Sequence, residues 1–408
     1  MNKKWLQAAI INFLIAASIG ALLRFAFVVE IPGIKYKNFL HAHSHIAMLG
    51  WVYLALYALL IHYFLPAEKR ERVIYQRLFW LTQLSVFGMA ISFPIQGYGA
   101  VSISFSTLHI LCSYGFVRLF WRDMGAGKAI SNQWVKTALL FMVLSTIGVW
   151  AMGPIMASGL RGSQWYYMAV QFYLHFQFNG WFIFAILAIF FRLMENRSVI
   201  FPPQLMKRFF LFLLVSCLLT YALAVAWSQP MLIVFIINGI GVTLQLVTLF
   251  YGGKLLMTQQ GQLLTSFTRL ESLLVRIAAS SFGLKVIIQA LVVLPFVAEA
   301  AYTIRNYVIG FIHLLLLGAV SSFLLAIAFR EKLYWSDRLS TRIGVFLLVL
   351  GFVLSECLLF LQGTMLWWGI GFLPQYYELL FGCSLLLPLG ILLIVPGQFR
   401  RYSTQTSA

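Results

Sequence analysis

Three histidines stand close together near the start of the second long apolar run of this chain. They are His41, His43 and His45, within the segment from Leu40 to Trp51. Neutral imidazole is the side chain best suited to hold iron or copper inside a membrane. On a helix, His41 and His45 share one face while His43 points roughly the opposite way. One helical turn therefore cannot direct all three side chains at a single ion.

The composition indicates the class of protein to which these histidines belong. The 408 residues are 62% hydrophobic and only 10% charged, which is too little polar surface for a soluble domain of this size. The net charge is +18, but the basic residues form short clusters between apolar runs and no basic, aromatic-interleaved face is present. The chain is therefore predicted to be a polytopic membrane protein whose partner is the lipid bilayer and not a nucleic acid.

Twelve apolar runs are long enough to cross about 30 Å of hydrocarbon. They predict an all-α fold, a polytopic bundle of twelve transmembrane helices that forms a single domain over residues 1–408, with no internal repeat evident in the sequence. The predicted helices lie near residues 5–29, 39–65, 78–98, 101–121, 135–157, 165–193, 209–228, 231–252, 276–298, 306–329, 343–364 and 371–396.

The distribution of positive charge predicts the orientation. Lysine and arginine concentrate at the termini and in alternate loops, and these clusters include Lys128, Arg400 and Arg401. The loops on the opposite side hold only Lys35, Lys37, Arg161 and Arg305. The positive-inside rule then places both termini on the cytoplasmic side of the membrane. The expected location is a bacterial-type inner membrane.

Two further histidines are predicted at a depth similar to that of the first cluster. His175 lies about ten residues into helix six, and His313 lies about seven residues into helix ten. At about 1.5 Å per residue, helices two, six and ten present imidazole in one layer of the membrane. A lone buried histidine is often only bonded to a neighbouring carbonyl, but a set at matched depth favours a functional interpretation.

In each of these three helices a glycine follows a histidine by five residues. The pairs are His45 and Gly50, His175 and Gly180, and His313 and Gly318. A glycine just over one turn beyond a ligand lets a planar cofactor or a neighbouring helix approach closely.

These motifs resemble the catalytic subunit of haem–copper oxidases, and within that superfamily its nitric oxide reductase and cbb-type branches. The segment around His43 is similar to the low-spin haem helix of the family. The segment His-Phe-Gln-Phe-Asn-Gly that begins at His175 is similar to the helix-six motif of nitric oxide reductases, with Asn179 at the position of a glutamate. His313 matches the second histidine of the family's His-x-His pair.

The resemblance implies a subunit I-like bundle with one low-spin haem b, held by His43 and His313. It implies that His175 is the surviving ligand of a second metal site, for copper or non-haem iron. His41 and His45 are further candidate metal ligands. The resemblance also implies a cytochrome or other electron-donor subunit as a partner, and an oxidoreductase if the chain is catalytic.

Two departures from the family pattern indicate that the second centre is incomplete. Phe311 stands where the resemblance implies a high-spin haem ligand. Helix seven, from Phe209 to Trp227, contains no histidine, although the family supplies a pair there.

Further ionisable groups inside the predicted helices are candidates for charge compensation and proton transfer. Arg24 in helix one is predicted either to pair with a haem propionate or buried carboxylate, or to act as a structural hydrogen-bond centre. Glu356 and Glu378 are candidates to pair with Lys285. These three residues and Asn179 are interpreted either as structural groups or as parts of a proton path.

The leading hypothesis is a membrane haem protein for electron transfer or for the handling of a diatomic gas such as nitric oxide. The alternatives from another class are a copper-handling or assembly factor that uses the cluster of His41, His43 and His45, and a transporter without redox catalysis. NnrS-type haem–copper membrane proteins lie between these classes. Iron with porphyrin would favour the haem protein, copper alone would favour the copper-handling factor, and the absence of metal would favour the transporter.

Overall fold

The apolar runs form helices throughout the computed structural model, which describes residues 2–125, 127, 129–226, 228, 231–333 and 338–395. These ranges contain no strand, and twelve of their helices are long and apolar enough to cross a membrane. The helices are α1 (Lys3–Phe25), α2 (Tyr36–Phe64), α3 (Val73–Gln96), α4 (Ala100–Asp123), α5 (Ile130–Ala157), α6 (Gln164–Glu195), α7 (Pro203–Ala226), α8 (Leu232–Thr258), α9 (Arg269–Leu291), α10 (Arg305–Arg330), α11 (Leu339–Trp367) and α12 (Tyr376–Ile394). The predicted all-α fold with twelve spanning helices is confirmed. Lys128, Trp227, Arg400 and Arg401, and the predicted end of helix twelve at residue 396, lie outside the described residues.

The boundaries of α9 differ from the predicted range of 276–298. The helix begins after Thr268, whose side chain accepts a hydrogen bond from the Glu271 backbone while the Glu271 side chain accepts one from the Thr268 backbone. This reciprocal capping box starts the helix earlier than the apolar pattern suggests. The helix ends at Leu291, and Pro295 opens a separate short helix, Pro295–Thr303. Proline has no backbone N–H to donate and suits the first turn of a new helix.

α7 is interrupted near its end. It consists of a long segment, Pro203–Leu219, and a short one, Tyr221–Ala226, joined at Thr220. Both the backbone N–H and the side-chain hydroxyl of Thr220 donate to the carbonyl oxygen of Ser216, at 2.9 and 2.7 Å. A threonine hydroxyl that binds the carbonyl one turn back competes with the helical ladder and bends the helix.

Three spanning helices change from α- to π-helical geometry directly after a histidine. The π segments are Ile46–Val52 after His45, Phe176–Phe182 after His175, and Leu314–Ser321 after His313. π-helical turns are rare and occur frequently at functional sites. The three helices are α2, α6 and α10, so the feature recurs every four helices. The structure thus adds π-helical geometry to the histidine–glycine spacing that the sequence repeats in the same three helices.

Glycines inside the π segments let neighbouring helices approach. A Cβ atom on Gly50 would lie 2.9 Å from Val86 and 3.0 Å from the Asn12 side chain. A Cβ on Gly180 would lie 2.5 Å from the Phe141 ring. α2, α6 and α10 are also the three most buried of the twelve spanning helices in the described part of the chain. The histidine-bearing helices are therefore tightly enclosed by protein.

The chain divides into two compact units. The first contains the described residues of 1–58, 72–112 and 324–408. In it α11 packs on α12, α12 on α1, and the first part of α2 on α1 and α3. A Cβ on Gly390 of α12 would lie 2.6 Å from the carbonyl oxygen of Gly344 on α11, so these two helices approach each other at paired glycines.

The second unit contains residues 59–71 and the described residues of 113–323. In it α5 packs on α6, α7 on α8, and α8 on α9. α9 also packs on the π segment of α10, which contacts the π segment of α6. The two histidine-bearing helices of this unit therefore meet through their π segments.

Candidate functional site

His43 lies on the side of α2 that packs against α1. Its ring nitrogen Nδ1 is 2.8 Å from the carbonyl oxygen of Ala16. Because a carbonyl oxygen can only accept, the ring donates Nδ1–H, which leaves a lone pair on Nε2. A Cβ on Gly20 would lie 2.9 Å from His43 Cε1, so the glycine leaves room for the ring. A histidine that binds metal commonly donates its other ring N–H to a carbonyl, and His43 meets this requirement for an axial ligand.

A cation and an acid lie near His43 in the same unit. Arg24 is in the last turn of α1, because the helix ends at Phe25 and not at the predicted residue 29. Its guanidinium is within electrostatic range of His43 and of the Glu356 carboxyl group. Glu356 is buried on α11. The structure therefore brings together three of the predicted site residues.

His41 and His45 lie on a different face of α2 from His43, as the helical spacing predicted. Both imidazole rings contact the aromatic rings of Phe93 and Tyr98, with centroid distances between 4.4 and 6.1 Å. His45 Nδ1 donates to the carbonyl oxygen of His41 at 2.8 Å, so its Nε2 lone pair faces away from that bond. The two histidines form a half-buried pair beside α3.

His109 joins this side of the unit, although the sequence pattern did not place it among the candidate ligands. It is buried on α4, interacts electrostatically with His45, and packs edge-on against Tyr53 with ring centroids 4.6 Å apart. Its ring also donates to the backbone carbonyl of Leu49 in the π segment. His45 and His109 are each the tenth residue of their helices in the structure, whereas the predicted helix starts at residues 39 and 101 placed His109 deeper in its helix than His45.

His175 is fully engaged by protein groups. Its Nε2 donates to the carbonyl oxygen of Cys217 at 2.8 Å, and its Nδ1 lies 3.3 Å from the Asn179 amide nitrogen. Cys217 is in the last turn before the break in α7, where helical carbonyls lack partners from their own helix. The imidazole supplies one such partner, and Asn179 positions the ring. A metal would have to replace one of these two hydrogen bonds to reach His175.

Lys285 is buried near His175, on α9. The Cys217 thiol and the His175 imidazole lie within electrostatic range of its amine. Glu356 and Glu378 were the predicted candidate partners of Lys285. Glu378 is exposed in the first turn of α12, where a carboxylate complements the positive end of the helix dipole.

His313 is the ninth residue of α10 and the last one before its π segment. His175 is the twelfth residue of α6, so the two histidines of this unit have comparable positions along their helices. Within the described ranges, no three or more His, Cys, Asp or Glu side chains are grouped so that they could hold a metal ion.

Searches with this chain against protein-family models and against curated proteins found no match.

Proposed function

We propose that the chain is an integral membrane haem protein that transfers electrons or handles a diatomic gas, with His43 as an axial ligand of one low-spin haem b. His313 is the second ligand that the resemblance to haem–copper oxidase subunits implies. The observation that carries this proposal is the state of His43, whose Nδ1–H is held by the Ala16 carbonyl while Nε2 keeps its lone pair. The resemblance to haem–copper oxidase catalytic subunits agrees with this choice of residue.

The three π segments support the choice of helices. A π turn inserts a residue into a helix and changes the direction of the side chains around it, and such insertions concentrate at functional sites. Here each insertion follows a histidine of a deeply buried helix: α2, α6 and α10.

The surrounding residues suit the charge of such a cofactor. A haem carries two propionates, and Arg24 is a cation within electrostatic range of His43. When bound, a haem supplies a reversible one-electron couple. His43 would hold it, Arg24 would compensate a propionate, and the neighbouring Glu356 would take up or release a proton as the charge changes. We further propose an inner-membrane location and a cytochrome or similar electron donor.

An optical spectrum of the purified full chain tests the proposal. The expected result is a reduced-minus-oxidised spectrum of a low-spin bis-histidine haem, with about one haem per chain by pyridine haemochrome assay. His43→Ala and His313→Ala should each abolish this spectrum. His62→Ala is the matched control, since it removes a histidine from the far end of α2 and should leave the spectrum unchanged. Unchanged bands in the double variant His43→Ala, His313→Ala would overturn the ligand assignment.

A second candidate function is copper handling by His41 and His45. The observation that favours it is the position of both imidazoles against the same two aromatic rings, with His109 beside them. Imidazole suits copper, and aromatic faces attract a cation. Elemental analysis separates the two functions, because the haem proposal requires iron with porphyrin whereas copper handling requires copper that is lost in His41→Ala, His45→Ala.

A further inference from the structure

The buried face of α9 carries a row of polar side chains. Ser281, Lys285 and Gln289 follow each other at intervals of four residues, which places them on one side of the helix. All three are buried, and Lys285 is only 1% exposed. A lysine buried so completely inside a membrane-spanning helix is costly and usually functional.

The Lys285 amine has no partner that balances a positive charge. It has no hydrogen bond with any described residue, and no carboxylate of its own unit forms an ion pair with it. A buried ammonium without a counter-charge costs several kcal/mol, so the amine is stable there either as the neutral base or together with an anion from outside the chain.

The groups that face Lys285 from neighbouring helices do not supply the missing charge. From α6 comes His175, whose Nε2–H donates while Nδ1 accepts from Asn179, an arrangement that only the neutral imidazole satisfies. From α7 comes the Cys217 thiol. The buried polar side chains that α8 contributes, Asn238, Gln245 and Thr248, do not titrate. The π segment of α10 that packs on α9 contains no titratable residue.

The same region has unused capacity for hydrogen bonds. The side-chain oxygens of Asn179, Gln245 and Gln289 are buried and make no hydrogen bond with the described residues. Gln289 lies one turn from Lys285, and Asn179 adjoins His175. Buried amides that lack partners indicate that this part of the unit accommodates water or a polar solute.

We propose that Lys285 is the binding residue of a proton-coupled site for a small monovalent anion, formed by α6, α7 and α9. The neutral amine takes up one proton as the anion arrives, and the ammonium and the anion then form a pair with no net charge. Because no net charge enters the low-dielectric interior, binding avoids the cost of a buried ion. One cation balances one negative charge, which selects monovalent over multivalent anions. The site includes neither of the proposed haem ligands, His43 and His313.

Isothermal titration of the purified full chain with sodium nitrate tests the site. Titrations at pH 7 in two buffers of different protonation enthalpy, both free of small anions, give the affinity and the number of protons taken up. We expect one nitrate and about one proton per chain. Lys285→Met should lower the affinity at least about tenfold, whereas Lys254→Met, an exposed lysine on α8, should change nothing. The haem spectrum of Lys285→Met should match that of the unchanged chain.

Two further variants keep the test decisive. Lys285→Arg retains a permanent cation, so it should bind nitrate with no proton uptake. Cys217→Ser should bind nitrate and a proton like the unchanged chain, because the thiol is not the counter-ion. The proposal is overturned if nitrate does not bind, if binding survives in Lys285→Met, or if the unchanged chain takes up no proton with the anion.

Discussion

The imidazole of His175 donates its Nε2–H to the backbone carbonyl oxygen of Cys217, 2.8 Å away, at the point where α7 is interrupted. The same relationship recurs elsewhere. His43 donates to the carbonyl of Ala16, and His109 donates to that of Leu49 in a π segment. Imidazoles therefore donate to backbone carbonyls in this chain, once inside the regular helix α1 and twice where a helix is irregular, and each has a second ring nitrogen for another partner.

Replacing the His175 imidazole by a side chain without an N–H donor should destabilise the second unit. His175→Phe keeps an aromatic ring but leaves the Cys217 carbonyl without its donor inside the bundle, at a cost of about 1–3 kcal/mol in the free energy of unfolding. His175→Gln keeps an N–H donor and should lose less. Unfolding of both variants in mixed micelles with increasing denaturing detergent measures the difference. Equal losses in the two variants would contradict a hydrogen-bonding role.

His109 and His41 form a natural pair for comparison. His109→Phe removes the donor to the Leu49 carbonyl, so the free energy of unfolding should fall by about 1–2 kcal/mol. His41→Phe should have a much smaller effect, because the His41 ring contacts Tyr98 and Phe93 through ring packing that phenylalanine preserves. The same micelle titration applies. A larger loss of stability in His41→Phe than in His109→Phe would contradict the stabilising role of the hydrogen bond from His109 to Leu49.

Gly20 controls the space around the His43 ring. In Gly20→Ala the new methyl group would lie 2.9 Å from His43 Cε1, so the ring has to move and its bond to Ala16 weakens. We expect a lower haem content and a shifted absorption band, both measured on purified protein. Gly153→Ala on α5 is the matched control, because a Cβ there meets nothing within 4 Å. Identical spectra in the two variants would refute the dependence of the site on this contact.

The packing of α11 on α12 depends on Gly390. A Cβ at this position would lie 2.6 Å from the Gly344 carbonyl oxygen and 2.8 Å from the Leu348 backbone nitrogen. Gly390→Ala should therefore force the helices apart and lower the free energy of unfolding by about 1–3 kcal/mol. Gly382→Ala, on the same helix with nothing within 4 Å, should not lower it. Comparable losses in both variants would contradict the role of this close contact, because helix propensity alone favours alanine over glycine.

The sequence predicted the spanning helices because lipid requires long apolar helical segments, and that requirement is local. The separation of His41 and His45 from His43 was also predictable, since helical periodicity alone determines it. The capping box formed by Thr268 and Glu271 was readable in the sequence as well. The hydropathy pattern placed the helix start too late, because the first turn of α9 is polar.

Other features depend on packing and left no local signal. The break of α7 at Thr220 involves neither proline nor glycine, and the ordinary threonine there acts through its bond to Ser216. The glycines five residues after His45, His175 and His313 were recognised as places of close approach. Their π geometry was not predicted, because it is selected when neighbouring helices press on the backbone. The neighbours of Lys285 depend on which helices share a unit, which hydropathy does not report.

The π segments have one more consequence for how this chain is built. An inserted residue turns everything that follows it by about 100° relative to an uninterrupted helix, because one residue is a fraction of a 3.6-residue turn. In α2 the insertion lies between His45 and Tyr53. The direction of the imidazole side chains is therefore independent of which face the second half of the helix presents to its neighbours. Deleting a single residue between these two positions would let the wide turn close to an ordinary α turn, so that both halves of the rod would keep the faces they present to their neighbours.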